Sequence, residues 1–374
     1  FTSGNITYKV TVEKDGIWII TDDDYQVQVT GYTGSSSTVS IPTSVSHGGK
    51  TYKVTSIGQN AFNGNTTIQT VNIASSITNI GFSAFERCTN LTSVTIPSSV
   101  SEIGEYAFSE CGIRSVYLYS NVSSIGWGAF TNCPNLTSIS VESGNSHYGT
   151  YNGVLYAKDM STVVACPGGY SGSVNLSGLG VKEIGTDAFY GCTKVSGVTL
   201  PSTVTTISTQ AFRESGVQSI TIPASVKTIG GLAFYNCPYL RNVSISYGVE
   251  EIGDEAFGRC PVLSSISVSS ANQHYSSDSN GILYDADKST LICCPQYRSG
   301  TIVISADVET IADYAFYGCN RITSIVLPDS VSEIGDRAFF NCTSLESITC
   351  PTNLKTIGDY AFGNDQALKE MDFS

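Results

Sequence analysis

One short phrase recurs along this chain of 374 residues at a near-constant step, and it constrains the fold more than any other feature. The phrase is Ile-Gly-x-x-Ala-Phe-x-x-Cys, found for example from Ile80 to Cys88. A repeat of 22 or 23 residues is one turn of a solenoid, so a stack of similar turns is predicted. Its phenylalanine, with two exceptional steps of 59, occurs at Phe62, Phe85, Phe108, Phe130, Phe189, Phe212, Phe234, Phe257, Phe316, Phe339 and Phe362.

A second constant phrase lies between successive phenylalanines and predicts the strands. In Leu-x-x-Val-x-Ile-Pro-x-x-Val, at residues 91–100, the apolar residues alternate, which is typical of a short strand with one buried face. Each turn is predicted to contain a strand such as 93–96, a proline corner, a second extended stretch ending at Ile103, and a glycine corner at Gly104 before a tight Ala-Phe turn. Such turns predict a right-handed, curved, β-rich solenoid of about 14 turns with a parallel sheet of short strands.

The two long steps are themselves regular, because each is an ordinary step of 23 with 36 additional residues. The additions resemble each other, with Asn-Gly-Val-Leu-Tyr at 152–156 and Asn-Gly-Ile-Leu-Tyr at 280–284. In each, two apolar runs flank a polar connection that contains aspartate, at 157–161 and 285–289. Each insert is therefore predicted to be a β-hairpin.

The domain organisation predicted from these patterns is simple. We expect a β cap at 1–37 and a solenoid at 38–374, with hairpin inserts at about 142–173 and 269–300. No linker interrupts the register of the repeat, so a single elongated body is predicted. The sequence begins abruptly at Phe1, and an export signal is expected upstream of it.

Composition excludes two classes of partner. The chain has 32 acidic and 19 basic residues, a net charge of −13, and no basic stripe that could follow phosphates, so nucleic acid is not expected to bind. No apolar run approaches the ~20 residues that a spanning helix needs, so membrane insertion by this chain is not expected either. Charged residues are only 14% of the chain, and Ser and Thr occupy the outward strand positions instead.

The twelve cysteines form a column rather than scattered pairs. A thiol is small, apolar and a weak donor, so it suits a narrow corner in which it hydrogen-bonds a loop carbonyl. Where cysteine is absent the position holds Asn65, Ser215 or Asp365, which are small and polar. We therefore predict reduced structural thiols, with occasional disulfides or a metal as the alternatives, although only Cys293 and Cys294 are close in sequence. The eight column members, each three residues after a repeat Phe, are Cys88, Cys111, Cys133, Cys192, Cys237, Cys260, Cys319 and Cys342.

These motifs together resemble the BspA-like leucine-rich repeats, a surface family of bacteria and protists. In this chain the family's turn runs from Cys88 to Phe108, and the resemblance extends over about residues 38–374. The resemblance implies a β-rich leucine-rich-repeat solenoid that is secreted or anchored at the surface of a host-associated microbe. Some members of the family are implicated in adhesion to extracellular-matrix proteins and to other cells. It implies the fold better than the ligand, because such repeats are a scaffold.

An enzyme needs converging titratable groups, and the sequence offers few. His147 and His274 occupy equivalent places in the two inserts, which favours a loop-packing role over catalysis, and no nucleophile motif accompanies them. Asp22, Asp23 and Asp24 lack the spacing of a calcium loop and are interpreted as a solvated turn. We therefore predict no catalytic residue, no cofactor and no metal site.

Aromatic residues that break the repeat are better indicators of a binding site. Tyr117 stands where the strand normally has Ser or Thr, and Tyr119 where Pro is usual. The corner after Ile-Gly is normally polar but contains Phe82, Tyr106 and Trp127 in three successive turns, which are about 5 Å apart and predict one patch. Exposed rings on a neutral surface are typical of contacts with protein or sugar, and local packing is the alternative.

The inserts contain a second group of tyrosines. Tyr156 and Tyr284 end apolar runs and are predicted to pack. Tyr148, Tyr151 and Tyr275 are expected on projecting loops, where solenoids often place binding groups.

The sequence thus predicts a monomeric binding module that is extracellular or on the cell surface. Its expected partner is a host extracellular-matrix or surface protein, or another cell. A structural spacer of the cell surface and a glycan-capture protein are the alternatives, since flat Tyr and Trp faces also stack on sugars.

Overall fold

The computed structural model describes residues 1–13, 25–349 and 351–372. Every regular element in these ranges is a β-strand, and the predicted parallel β-solenoid of about 14 turns with two hairpin inserts is confirmed. No helix long and apolar enough to cross a membrane occurs in the described part of the chain. The predicted turn at Asp22, Asp23 and Asp24 lies outside the described residues.

The chain divides into two compact units. The first contains Phe1–Ser171 and Ile184–Lys194, and the second contains Gly172–Glu183 and Val195–Ser374. The strands of the first unit are β1 (Thr2–Ser3), β2 (Ile6–Glu13), β3 (Tyr25–Tyr32), β4 (Thr38–Ser40), β5 (Ser44–His47), β6 (Lys50–Ile57), β7 (Thr70–Asn72), β8 (Asn79–Ile80), β9 (Ser93–Thr95), β10 (Glu102–Ile103), β11 (Ser115–Leu118), β12 (Ser124–Ile125), β13 (Ser138–Val141), β14 (Tyr148–Tyr151), β15 (Val154–Ala157) and β16 (Thr162–Ala165).

The short strand β18 (Glu183–Ile184) falls where the chain divides. The strands of the second unit are β17 (Gly172–Asn175), β19 (Val195–Thr199), β20 (Thr206–Ile207), β21 (Ser219–Ile222), β22 (Thr228–Ile229), β23 (Asn242–Ile245), β24 (Glu251–Ile252), β25 (Ser265–Val268), β26 (Tyr275–Ser277), β27 (Leu283–Asp285), β28 (Thr290–Cys293), β29 (Gly300–Val303), β30 (Thr310–Ile311), β31 (Ile322–Val326), β32 (Glu333–Ile334), β33 (Ser347–Thr349), β34 (Thr356–Ile357) and β35 (Glu370–Asp372).

Each turn of the first unit contributes one strand to each of two parallel ladders. The first-strand ladder contains β4, β7 and β9, and further along β11 and β13. The second-strand ladder starts on the antiparallel strands β2 and β3, passes to β6 and continues through β8, β10 and β12. Equivalent residues pair, as in Ile103 with Ile80 and Ile125, so the apolar positions of successive turns superpose in the core.

The second unit repeats this arrangement. Its first-strand ladders are β17–β19, β21–β23–β25 and β29–β31–β33–β35. Its second-strand ladders include β20–β22–β24, and the run from β28 through β30 and β32 to β34. In both units the insert forms antiparallel strands, β14–β15–β16 in the first and β26–β27–β28 in the second. The predicted hairpins are thus three-stranded.

The repeat phenylalanines form a stack of parallel rings behind the corner loops. Successive centroids in the first unit are 4.9 Å apart for Phe62 and Phe85 and 5.3 Å for Phe85 and Phe108, with interplanar angles of 7° and 6°. In the second unit Phe212 and Phe234 are 4.9 Å apart. Such offset stacks bury large apolar area, and removing one ring from a core typically costs about 3–5 kcal/mol.

The cysteine column follows the phenylalanine stack and binds to it. Cys88 Sγ donates a hydrogen bond to Phe62 O at 3.1 Å, and Cys111 Sγ donates to Phe85 O at 3.0 Å. The same bond to the phenylalanine carbonyl of the preceding turn is made by Cys133, Cys237, Cys260 and Cys342. The predicted thiol–carbonyl bond is confirmed, whereas the reduced state of the thiols stays a prediction.

The inserts keep the register of this column in a way that the sequence analysis did not predict. Cys166 takes the place of the phenylalanine, because its amide donates to Ala188 O at 2.7 Å as the Phe62 amide donates to Ala84 O at 2.8 Å. Cys192 Sγ then donates to Cys166 O at 3.3 Å, and in the second unit Cys319 and Cys294 repeat this contact. The insert is therefore a complete turn with a sulfur where the other turns have a ring.

This insert turn has a shortened corner. Four residues separate Ile103 from Phe108 in an ordinary turn, but only two separate Val163 from Cys166. Val163 stands in the place of Ile103 because its carbonyl accepts the Gly185 amide, as other second-strand carbonyls accept the glycine of the next turn. The stack of corner loops consequently has a gap at each insert, here called the insert gap.

Candidate functional site

The corner loops place their side chains through residues with left-handed backbone. One such residue lies two positions before the phenylalanine, where Tyr106, Asp187, Glu255 and Tyr314 have φ of 55°, 60°, 50° and 57°. The sequence analysis located the conformational requirement at the glycine after Ile, which has a different role: a Cβ on Gly104 would lie 2.6 Å from Phe82 N of the preceding turn. The glycine thus permits close stacking, and the left-handed residues shape the loop.

Three of the predicted binding residues, here called the aromatic corner, lie on successive loops of the first unit. Phe82 and Tyr106 make an edge-to-face contact at 6.1 Å, and the Tyr106 amide donates to Trp127 O at 3.0 Å. The rings of Phe82 and Trp127 are 41% and 61% exposed, which is unusual for such large apolar groups. The structure therefore brings these three residues onto neighbouring loops and leaves two of them accessible.

Tyr106 has a second contact that explains its presence in the aromatic corner. Its hydroxyl donates to Asp187 Oδ2 at 3.1 Å, across the first insert gap. Its ring lies against Gly128, where a Cβ would be 2.4 Å from Tyr106 Cε1. Burial and the buried Asp187 carboxylate raise the pKa of Tyr106 to about 12, so it remains a neutral donor. Tyr106 thus closes the first insert gap.

Tyr117 and Tyr119 form a second aromatic surface. Their rings meet edge to face with centroids 4.9 Å apart, and Tyr117 is 48% exposed. Tyr117 lies on β11 of the first-strand ladder, whereas the aromatic corner follows the second-strand ladder. The two groups are therefore on different sheets.

The predicted insert tyrosines separate into packed and exposed residues. Tyr156 and Tyr284 are buried, as predicted. Tyr148 and Tyr275 are half-buried, and each hydroxyl accepts a backbone amide, from Ile125 and Ile252 respectively, at 2.9 Å. Burial also raises the pKa of both hydroxyls. These two residues thus have a structural contact, and Tyr151, 48% exposed, is the accessible member of the predicted set.

The packing role that we predicted for the insert histidines is wrong. His147 and His274 are exposed, and the residue that packs is the asparagine two positions earlier. Asn145 Nδ2 donates to the carbonyls of Tyr119 and Val122 at 2.9 Å, and its Oδ1 accepts the amides of His147 and Tyr148. Asn272 makes the equivalent bonds in the second unit. An amide can satisfy two carbonyls and two amides at once, which imidazole cannot.

The second unit contains a pocket of about 280 Å³ at its insert gap. We call it the insert pocket. The sequence analysis missed it, although Glu255 stands where the first unit has Gly128, and Leu232 where it has Tyr106. The pocket is lined by Ile252, Gly253, Asp254, Glu255, Ala256, Phe257, Gly258, Leu283, Ile292, Cys293, Ala312, Asp313 and Tyr314.

Arginines stacked on tyrosines surround the insert pocket. Arg337 lies over the rings of Tyr314 and Tyr360, with its Cζ 5.7 Å and 5.5 Å from the centroids, and donates to Tyr314 Oη at 2.7 Å. Arg259 lies over Tyr317 at 4.8 Å. Burial raises the pKa of Glu255 even though both arginines attract its negative charge.

Comparisons with known proteins agree with this fold. The model of the BspA type leucine rich repeat region matches residues 52–161, 172–279 and 293–374, in six copies. A search of curated protein sequences found no match.

Solved structures of similar architecture come from several bacteria. A leucine-rich repeat protein of Eubacterium ventriosum is 22% identical, with 98% of this chain and 95% of that chain covered and a TM-score of 0.59. A leucine-rich repeat protein of Bacteroides ovatus is 26% identical over 99% and 93% of the two chains, with a TM-score of 0.47. A leucine rich cell surface protein of Faecalibacterium prausnitzii is 24% identical over 100% and 94%, with a TM-score of 0.44. Since the family model matches most of the chain, this protein belongs to the BspA type leucine-rich repeat family.

Proposed function

We propose that this protein is a secreted or cell-surface binding module that adheres to a host extracellular-matrix or surface protein. The observation that supports the proposal is the set of exposed rings in the first unit: Phe82 and Trp127 of the aromatic corner, and Tyr117 on β11. A ring supplies a large contact area at low cost in conformational entropy, and aromatic anchors dominate the binding energy of many protein interfaces. The proposal assigns no catalytic role to any residue.

The repeated strand positions support the same assignment. Ser93 and Thr95 on β9 are exposed, and similar residues recur on the first strands of other turns. So uniform a surface does not specify one partner, whereas Tyr117 and Trp127 interrupt it. Specificity is therefore assigned to the interrupting rings.

Binding to immobilised matrix proteins and to a glycan array tests the proposal. We expect Tyr117→Ser with Trp127→Ser to weaken binding to the matrix protein recognised by the wild type by at least about tenfold, or about 1.4 kcal/mol. The matched control is Tyr239→Ser with Tyr247→Ser, which removes two rings of the second unit that are 54% and 61% exposed. The control should bind like the wild type, and the thermal midpoints of both variants should stay within a few degrees.

Other outcomes have definite meanings. Saccharide hits without matrix hits would favour glycan capture, and silence on both arrays would favour a structural spacer. Unchanged affinity of the Tyr117 and Trp127 variant would instead move the site to the insert loop around Tyr151.

A further inference from the structure

The insert pocket has a structural cause that separates it from ordinary surface roughness. The insert turn of the second unit reaches Cys294 two residues sooner than an ordinary turn reaches its phenylalanine, so its corner loop does not fill the space between the loops at 253–258 and 312–314. The same gap in the first unit is closed by Tyr106, which lies on Gly128 and bonds Asp187. In the second unit the gap remains open.

The lining of the pocket combines apolar walls with carboxylates. Ile252, Leu283 and Ile292 supply aliphatic surface, and Asp254, Glu255 and Asp313 supply acidic groups. Glu255 makes no hydrogen bond or ion pair with any residue in the described ranges, although its side chain is half-buried. A half-buried carboxylate without a partner is costly, and a cation placed beside it offsets that cost.

The size of the pocket limits the occupant. Sites for whole small molecules typically measure ~300–1,000 Å³, and this pocket, at about 280 Å³, is at the lower limit. A single long side chain fits such a space better than a complete ligand. Lysine and arginine have an aliphatic stem suited to the walls and a charged head suited to the carboxylates.

We propose that the insert pocket binds a lysine or arginine side chain of a basic peptide segment in a protein partner. The stem lies against Ile252, Leu283 and Ile292, and the head reaches the Glu255 carboxylate. The aspartates that follow the glycine in the last three corners, Asp313, Asp336 and Asp359, extend the negative surface from the pocket mouth along the neighbouring loops. A segment with several basic residues therefore finds charge complementarity beyond the pocket.

The two nearby arginines are the opposing influence. Arg259 and Arg337 both attract the Glu255 charge, but each is also held over tyrosine rings, and neither approaches Glu255 closely enough to form an ion pair. The pKa of Glu255 lies above its ordinary value despite them, so their field does not satisfy the carboxylate. A cationic group inside the pocket would be nearer than either arginine.

Fluorescence anisotropy with defined peptides tests this inference without any knowledge of the natural partner. The probe is a labelled peptide of alternating glycine and lysine. Two matched probes replace lysine by acetyl-lysine, which removes the charge, and by 2,3-diaminopropionic acid, which keeps the charge on a one-carbon stem. We expect the lysine peptide to bind the wild type about tenfold more tightly than either matched probe.

Three variants locate the binding. Glu255→Gln removes the charge, and Ala312→Phe obstructs the pocket without changing charge; each is expected to weaken lysine-peptide binding about fivefold or more. Glu346→Gln removes one exposed carboxylate elsewhere in the second unit and should leave binding unchanged. Thermal midpoints show which variants fold, and if Ala312→Phe does not, Glu255→Gln and the stem-length comparison still decide.

Several results would overturn the inference. Equal affinity for the lysine and diaminopropionic peptides would show that surface charge alone attracts them. An equal loss in Glu255→Gln and Glu346→Gln would remove Glu255 from the site, and displacement by millimolar calcium at constant ionic strength would assign the carboxylates to a metal ion. These results do not depend on the matrix-binding proposal, which concerns rings of the first unit.

Discussion

The two insert gaps compare a closed and an open version of one design. Both arise because the insert turn has a short corner, and both adjoin the same second-strand ladder. In the first unit Tyr106 lies over Gly128 and bonds Asp187, whereas in the second unit Leu232, Glu255 and Tyr314 occupy those places and the gap stays open.

The comparison teaches that the backbone creates the gap and the side chains decide its fate. In both units the backbone at the position two before the phenylalanine is left-handed, at φ of 64° for Gly128 and 50° for Glu255. Glycine there admits a ring from the neighbouring loop, and glutamate does not. A local choice at one loop position therefore converts a packing contact into a candidate binding site.

Gly128→Glu, which gives the first unit the residue of the second, should have the largest effect. The new Cβ would lie 2.4 Å from Tyr106 Cε1, and a non-glycine residue at φ of 64° adds backbone strain. We expect a loss of about 2–5 kcal/mol in the free energy of unfolding, measured by chemical denaturation. Gly144→Glu is the control, because a Cβ there makes only ordinary contact, and it should change stability by less than about 0.5 kcal/mol. Similar losses in both variants would contradict a special contact at Gly128.

Tyr106→Phe should have the next largest effect, because it removes the hydroxyl that donates to the buried Asp187 carboxylate. The expected loss is about 1–3 kcal/mol, against less than about 0.5 kcal/mol for Tyr117→Phe at an exposed ring. The pKa of Tyr106 is raised from 10.0 to about 12, so its contribution is present below pH 10 and lost as the pH rises to about 12. The difference between wild type and Tyr106→Phe should shrink over that interval, and a constant difference would remove the hydroxyl from the explanation.

The repeat made much of this molecule predictable from sequence, and the gaps lie outside what repeats. The strands, the hairpins and the thiol–carbonyl bonds follow from residues that recur in most turns, for which spacing alone fixes the neighbours. The Tyr106–Asp187 bond joins residues 81 positions apart and occurs in the first unit, so no periodic pattern announces it. The role of Cys166 in place of phenylalanine was hidden for the same reason. Tyr148 and Tyr275 recur, but recurrence did not distinguish an exposed ring from one that accepts a backbone amide.

Glu255→Gly, the reverse replacement, should stabilise the second unit. It relieves the left-handed strain at φ of 50° and removes a half-buried carboxylate. We expect a gain of about 1 kcal/mol in the free energy of unfolding, in contrast to the loss from Gly128→Glu. Destabilisation by Glu255→Gly would mean that the glutamate contributes packing that the pocket geometry does not reveal.

Glu255→Gln should have the smallest effect, and its sign depends on pH. Burial raises the pKa of Glu255, so the folded protein favours the protonated carboxyl. The stability from this group is therefore present below its unfolded pKa, about 4.3, and is lost as the pH rises through the higher folded pKa. The neutral glutamine should raise the thermal midpoint slightly at pH 7 and confer no advantage below about pH 4. An advantage at acidic pH alone would have the wrong sign.

The insert turn's preservation of register has a consequence for how such a protein lengthens. Phe62 to Phe189 and Phe189 to Phe316 both span 127 residues, and Cys166 and Cys294 carry the corner hydrogen bonds across each insert. A block of plain turns closed by one insert turn can therefore be duplicated without redesign of its core, since each turn is stabilised by its neighbours. After duplication the corner residues are free to diverge, as Gly128 and Glu255 have done. Chain length and surface chemistry can then evolve on separate residues.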